Sequence, residues 1–219
     1  MQTLFHILLA FVIVKYYKVQ KDIKIPKSYI VGSFAPDILL FLFTFFGFLY
    51  YRYIQDLSTR EIFTLMFDTL YFTNPWWIFS YNVLHSPLIV ITALIFIYFI
   101  IKNNFKLYHS LKINKSSKIK LSFLKQYFPT LAILLFFFLG CLTHIALDIP
   151  VHYDDGPLLL YPLNDELRFQ SPISYWDNNY YANVVSIVER VLMILFILYL
   201  SKDFFIRKYK LFVKKCRRF

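Results

Sequence analysis

At 219 residues the chain has the length of one domain, and 58% of it is hydrophobic. A mean hydropathy of +0.53 and several apolar runs longer than a bilayer crossing exclude a soluble globular protein and imply an all-α, polytopic membrane protein with about five transmembrane helices. The formal charge of +11 sits in blocks between the apolar runs, so it reads as membrane orientation and argues against nucleic acid as a partner. The two cysteines, Cys141 and Cys216, support neither a disulfide framework nor a cysteine-rich zinc module.

The first predicted span, Leu4 to about Val14, is short and carries His6 near its start. Its lysines follow the apolar part, the reverse of a secretory signal, so a retained helix with its N-terminus outside is expected. A basic loop, Lys15 to Lys27, leads to a second run from about Ser28 to Tyr51, which Gly32-Ser33-Phe34-Ala35-Pro36-Asp37 interrupts. That interruption should be buried in protein or line a cavity, because lipid satisfies neither a broken backbone nor a carboxylate. Arg52 to Leu84 is mixed, with Asn74-Pro75-Trp76-Trp77 placed as an interfacial aromatic belt.

His85-Ser86-Pro87 is expected to open the third span, which ends at Ile101. A lysine-rich loop containing His109 follows, then a fourth span from about Tyr127 to Ile149 and a polar loop that runs to Tyr181. The fifth span, about Val184 to Leu200, carries Glu189-Arg190 near its start, and residues 202–219 form a basic cytosolic tail on what reads as a single domain, 1–219. Of the 24 Lys and Arg, 20 lie in the first loop, the third loop and the tail, while the other two loops hold eight of the 13 acidic residues. The positive-inside rule then places the N-terminus out and the C-terminus in.

With this topology His6, His85, His144 and Asp148 reach one side of the membrane, with His152, Asp154 and Asp155 just beyond. His144 and Asp148 are four apart and share a helix face; Pro150 makes a strict helical continuation to His152 doubtful. Asp37 falls nearer mid-membrane, in conflict with the others. Histidine and carboxylate in this setting suit zinc or another divalent ion, with the carboxylates also able to orient imidazoles. A structural hydrogen-bonded polar cluster is the competing reading. Asp154-Asp155-Gly156-Pro157 is a turn by composition, equally a solvated turn or a catalytic pair. Arg168 has the geometry to hold a phosphate, and Glu189 is either an orienting partner or half of a helix-boundary pair.

Gly32 with Pro36-Asp37, His85-Ser86, and Gly140 with Thr143-His144, Asp148, His152, Gly156 and Tyr161-Pro162 resemble the membrane-bound metal-dependent hydrolase family of bacterial inner membranes. The likeness spans His6 to Trp176 and implies an all-helical membrane protein with His6, Asp37, His85, His144 and Asp148 as functional polar residues. The family is itself similar in pattern to zinc-dependent phospholipase C. Ala10 departs from its pattern, as does Asn82-Val83-Leu84, where relatives carry an Arg before the His-Ser pair.

The expectation is therefore a hydrolase of the bacterial cytoplasmic membrane, acting on a lipid or lipid-linked substrate at its outer face. Its divalent metal, zinc first, would be held by His6, Asp37, His85, His144, Asp148 and His152, with Asp154 and Asp155 catalytic and Arg168 binding substrate. The alternative is a non-enzymatic membrane protein that uses the same cluster for ion binding, transport or structure.

Overall fold

The computed structural model describes residues 2–113 and 118–216. They form helices α1 (Thr3–Gln20), α2 (Ser28–Tyr53), α3 (Thr59–Thr64), α4 (Tyr71–Thr73), α5 (Pro75–His85), α6 (Pro87–Ile113), α7 (Lys118–Asp148) and α8 (Ala182–Cys216). A π-helical turn, Leu65–Leu70, joins α3 to α4, and among the described residues no strand forms beyond an isolated bridge between Leu158 and Arg168. Five helices are long and apolar enough to cross a membrane. Their outward faces carry exposed Phe41, Phe46, Phe96 and Ile194, the pattern of a fold whose solvent is lipid.

The helices run longer than the apolar pattern predicts. Parts of the expected lysine-rich loop continue α6 to Ile113 and begin α7 at Lys118, and residues 202–216 of the expected tail are the end of α8. The side chains of that loop, His109 included, and those of Cys216 and its basic neighbours lie outside the described residues. Helix α2 is also continuous where an interruption is expected, carrying Pro36 within it. Proline withdraws the N–H that would meet the Gly32 carbonyl, yet the helix runs on through it while packed against α7. His85 ends α5 instead of opening the third span. Ser86, before a proline, is extended, and Pro87 starts α6.

The most extensive helix pair is α2 with α7. It meets at glycines: a Cβ on Gly32 would fall on the Phe137 carbonyl oxygen, and one on Gly140 on the Tyr29 carbonyl oxygen. Small residues allow this backbone approach, as in membrane helix pairs generally. Val90, Cys141 and Ile145 fill the core of the adjoining α6–α7 seam. A second core, Ile62, Met66 and Trp77, fixes α3 and α5 against the far half of α2. Trp77, expected in an interfacial belt, is thus 6% exposed, whereas its neighbour Trp76 is 68% exposed.

Candidate metal centre

The first turn of α1, the middle of α2, the last residue of α5 and the last turn of α7 bring His6, Asp37, His85, His144 and Asp148 together. Two overlapping groups can hold a metal ion: Asp37, His85 and His144, and His6, His144 and Asp148. Asp37 reaches them because Thr3, at the start of α1, donates to its Oδ2 at 2.6 Å, which sets that carboxylate level with the first turn of α1. The depth conflict disappears because α2 does not begin at the level where α1 ends. Ser28 lies only about 13 Å along the helix from Asp37, while a further ~24 Å of α2 extends past it to Tyr53.

The protonation of two histidines follows from their partners. His85 Nδ1 lies 2.6 Å from the Tyr81 carbonyl oxygen, and His144 Nδ1 lies 2.8 Å from that of Ser33. A carbonyl only accepts, so each Nδ1 carries the proton and each Nε2 presents a lone pair. Those two Nε2 atoms face each other at 3.2 Å, with Asp37 Oδ1 at 3.3 Å from one and 3.4 Å from the other. Three such atoms around one point can hold a metal ion between them. A point about 1.9 Å from all three exists, close to zinc–nitrogen and zinc–oxygen bond lengths of ~2.0–2.2 Å. Imidazoles that give their other N–H to backbone carbonyls are oriented as metal ligands usually are. The donor set therefore fits a divalent ion.

Both groups converge on His144 Nε2, since its Nδ1 is committed to Ser33, and one lone pair serves one ion. They amount to a single centre. On its second side Asp148 Oδ2 is 3.9 Å from His144 Nε2, and Asp148 Oδ1 is 3.6 Å from His6 Nε2. His6 stacks on His144 at 3.8 Å, and both its ring nitrogens are buried without a hydrogen-bond partner. Buried polar atoms left in this state call for a missing partner.

His152, expected among the ligands, belongs to neither group and sits behind Asp148. Its Nε2 donates to Asp148 Oδ2 at 3.0 Å and its Nδ1 to Asp155 Oδ1 at 2.9 Å. Burial disfavours its charged form, but the two carboxylates prevail and push its pKa up to about 9. Asp155 also accepts from the Trp176 indole at 2.9 Å, whereas Asp154 is exposed. Arg168 stands apart from the centre, bonded to the Gly156 carbonyl and lying over the rings of Tyr71 and Phe72.

Other residues that build the site carry weaker signals in the sequence. Asn82 accepts from Leu158 N at 2.7 Å, tying the 152–163 loop to α5. Buried Glu189 accepts from Gln2 N at 2.6 Å, anchoring the α1 end that carries His6. Tyr175 packs on His152 at 4.8 Å. Burial pushes its phenol above the usual range, and Asp155, Asp148 and Asp37 add to the shift, so it faces the carboxylates of the centre. Tyr175, Tyr81 and His152 also line a cavity of about 490 Å³. On another side Phe5, Val151 and α8 enclose an apolar groove of about 390 Å³.

A family model, YdjM inner membrane protein, matches residues 1–209. The chain belongs to that family. Together with the five apolar helices, this makes it a multi-pass protein of the bacterial inner membrane. No curated protein and no solved structure matches this YdjM-family chain.

Proposed function

We propose that this protein is a metal-dependent hydrolase of a lipid or lipid-linked substrate. The observation that carries the reading is the convergence of His85 Nε2, His144 Nε2 and Asp37 Oδ1 on one point. The adjoining cavity and apolar groove have room for a headgroup and an acyl chain. A divalent metal held there, zinc first among the candidates, would supply Lewis acidity toward a phosphoryl or acyl oxygen and would lower the pKa of a water toward neutrality.

The protein's own groups divide the remaining work. His85, His144 and Asp37 hold the ion, with Asp148 and His6 closing the second side. Asp37, whose side chain is 23% exposed, marks the accessible side. His152 locks the Asp148 carboxylate by donating to it, the usual role of a group behind a ligand. Asp155, linked to Asp148 through His152, is placed to receive a proton from the centre. With the N-terminus outside, as the lysine distribution favours, the centre opens toward the outer leaflet.

One observation favours a second reading, ion binding without catalysis: His6, His85, His144 and Asp148 are all at most 4% exposed, leaving only Asp37 open. Metal content of the purified protein, measured for wild type, His144→Ala and Asp148→Asn, tests both. Stoichiometric metal in wild type and its loss in the variants is expected; near-zero metal in all three refutes both readings. Phosphate or fatty-acid release from a phospholipid panel then separates them, and a metal-loaded protein that turns over no lipid favours the second.

A further inference from the structure

The 490 Å³ cavity beside the centre has a composition of its own. Six aromatic side chains, Phe67, Tyr71, Phe72, Tyr81, Tyr175 and Trp176, supply most of its wall. Three carboxylates, Asp68, Asp154 and Asp155, supply the rest of its polarity together with His152. Asp155 is engaged by His152 and Trp176. Among the described residues the side chains of Asp68 and Asp154 have no hydrogen bond or ion pair, and no Lys or Arg lines the cavity. The one guanidinium nearby, Arg168, lies over the Tyr71 and Phe72 rings and is bonded to the Gly156 carbonyl. The Tyr81 hydroxyl, also in the wall, is fully buried, with no partner other than the neighbouring Tyr71 hydroxyl.

We infer that this cavity binds the ammonium group of an amine-headgroup phospholipid. Aromatic faces attract an organic cation through their quadrupoles, most strongly where water is excluded. Two unpaired carboxylates add the charge complement and repel an anionic headgroup. The acceptors left free in the wall, the Asp68 and Asp154 carboxylates, are anionic and so favour a cation over a neutral polyol. The position fits a lipid source: the rim residues Phe72 and Trp176 are exposed and apolar. The inner wall ends at Tyr81, whose ring packs on His85 at 4.4 Å, and at His152, bonded to Asp148. An ammonium seated among the rings thus leaves the adjoining phosphodiester on the side of the metal centre. That the bound lipid is a substrate rests on the hydrolase reading; that the cavity takes an organic ammonium does not.

The test is calorimetric titration of the full-length purified protein with glycerophosphoethanolamine and with glycerophosphoglycerol, which share a phosphodiester and differ in the ammonium. The first should bind at least about tenfold tighter, the scale of a desolvated cation–aromatic contact. The double variant Asp68→Asn/Asp154→Asn should bring it down to the level of the second while leaving glycerophosphoglycerol binding and metal content unchanged. Both residues are exposed, so folding is preserved, and the retained metal verifies this. Equal affinity for the two probes, no measurable binding of either, or a preference that survives the double variant overturns the inference. Glucose binding as tight as glycerophosphoethanolamine reassigns the cavity to a sugar, and free ethanolamine binding as tightly overturns the lipid source. Because no arm requires turnover, failure here is distinguishable from failure of the hydrolase reading.

Discussion

Replacing Gly140 with alanine tests whether helix packing sets the metal centre. The new methyl group would fall on the Tyr29 carbonyl oxygen and lie 2.8 Å from Ser33 N. Restoring ordinary contact of about 3.5 Å to Ser33 alone requires α2 and α7 to separate by roughly 0.7 Å, and the Tyr29 contact demands more. His144 rides on α7, and Asp37 on α2 along with the Ser33 carbonyl that orients His144. The 3.4 Å separation of Asp37 Oδ1 and His144 Nε2 therefore widens by a similar amount, beyond the tolerance of about 0.2 Å that metal–ligand bonds allow. We expect metal affinity to fall by about 10- to 100-fold, the range seen when ligand orientation is lost. Stability should fall by about 1–3 kcal/mol, as for overpacking. Gly47→Ala is the control: its Cβ would meet the flexible ends of Trp77 at 3.3 Å and Met66 at 3.6 Å, far from the centre. Metal titration and thermal unfolding of both variants in one detergent provide the comparison. A Gly140→Ala protein that binds metal as tightly as Gly47→Ala would show that the crossing does not set the ligand geometry.

Further outcomes follow from single contacts. Thr3→Val removes the donor to Asp37 Oδ2 and should weaken metal binding by about tenfold, read by competition with a chromogenic chelator; unchanged affinity would show that Asp37 needs no orienting partner. Glu189→Ala should loosen the start of α1 and destabilise the protein by about 1–3 kcal/mol through the lost acceptor for Gln2 N, whereas Glu189→Gln, which keeps an acceptor oxygen, should remain near wild type in amide exchange over residues 2–6. Metal retention should fall on acidification, because His85 and His144 can offer Nε2 only when that nitrogen is unprotonated; equilibrium dialysis across pH 5 to 8 measures this, and a flat profile would count against imidazole ligation.

The sequence discloses some of these relations and conceals others for physical reasons. His144 and Asp148 are legible as a pair because helical periodicity fixes their common face, and the apolar runs locate the five crossing helices. Asp37 looks misplaced because depth counted from the nearest basic loop assumes that every helix starts at the membrane boundary, whereas α2 starts deeper, beside Gly140. Pro36 signals a break, but the helix runs on through it, packed against α7 across two glycines. His85 lies two residues before a proline and so invites the reading of a helix start, although it closes α5. The groups that set the two imidazole tautomers are the backbone carbonyls of Ser33 and Tyr81, which every residue type carries, so no side-chain pattern could reveal them. The pairing of Glu189 with Gln2 spans 187 positions, beyond any local spacing rule.

The overshoot of α2 past the centre makes that helix a lever with unequal arms. Its fulcrum is the glycine crossing at Gly32. Asp37 sits five residues from it, about 7.5 Å, and Tyr53 sits 21 residues away, about 31 Å. A tilt driven at the far end, at Tyr53, which is 76% exposed, reaches the Asp37 carboxylate reduced about fourfold. Of the five candidate ligands, Asp37 is the one geared in this way to the bilayer, and it is also the one left open to a substrate.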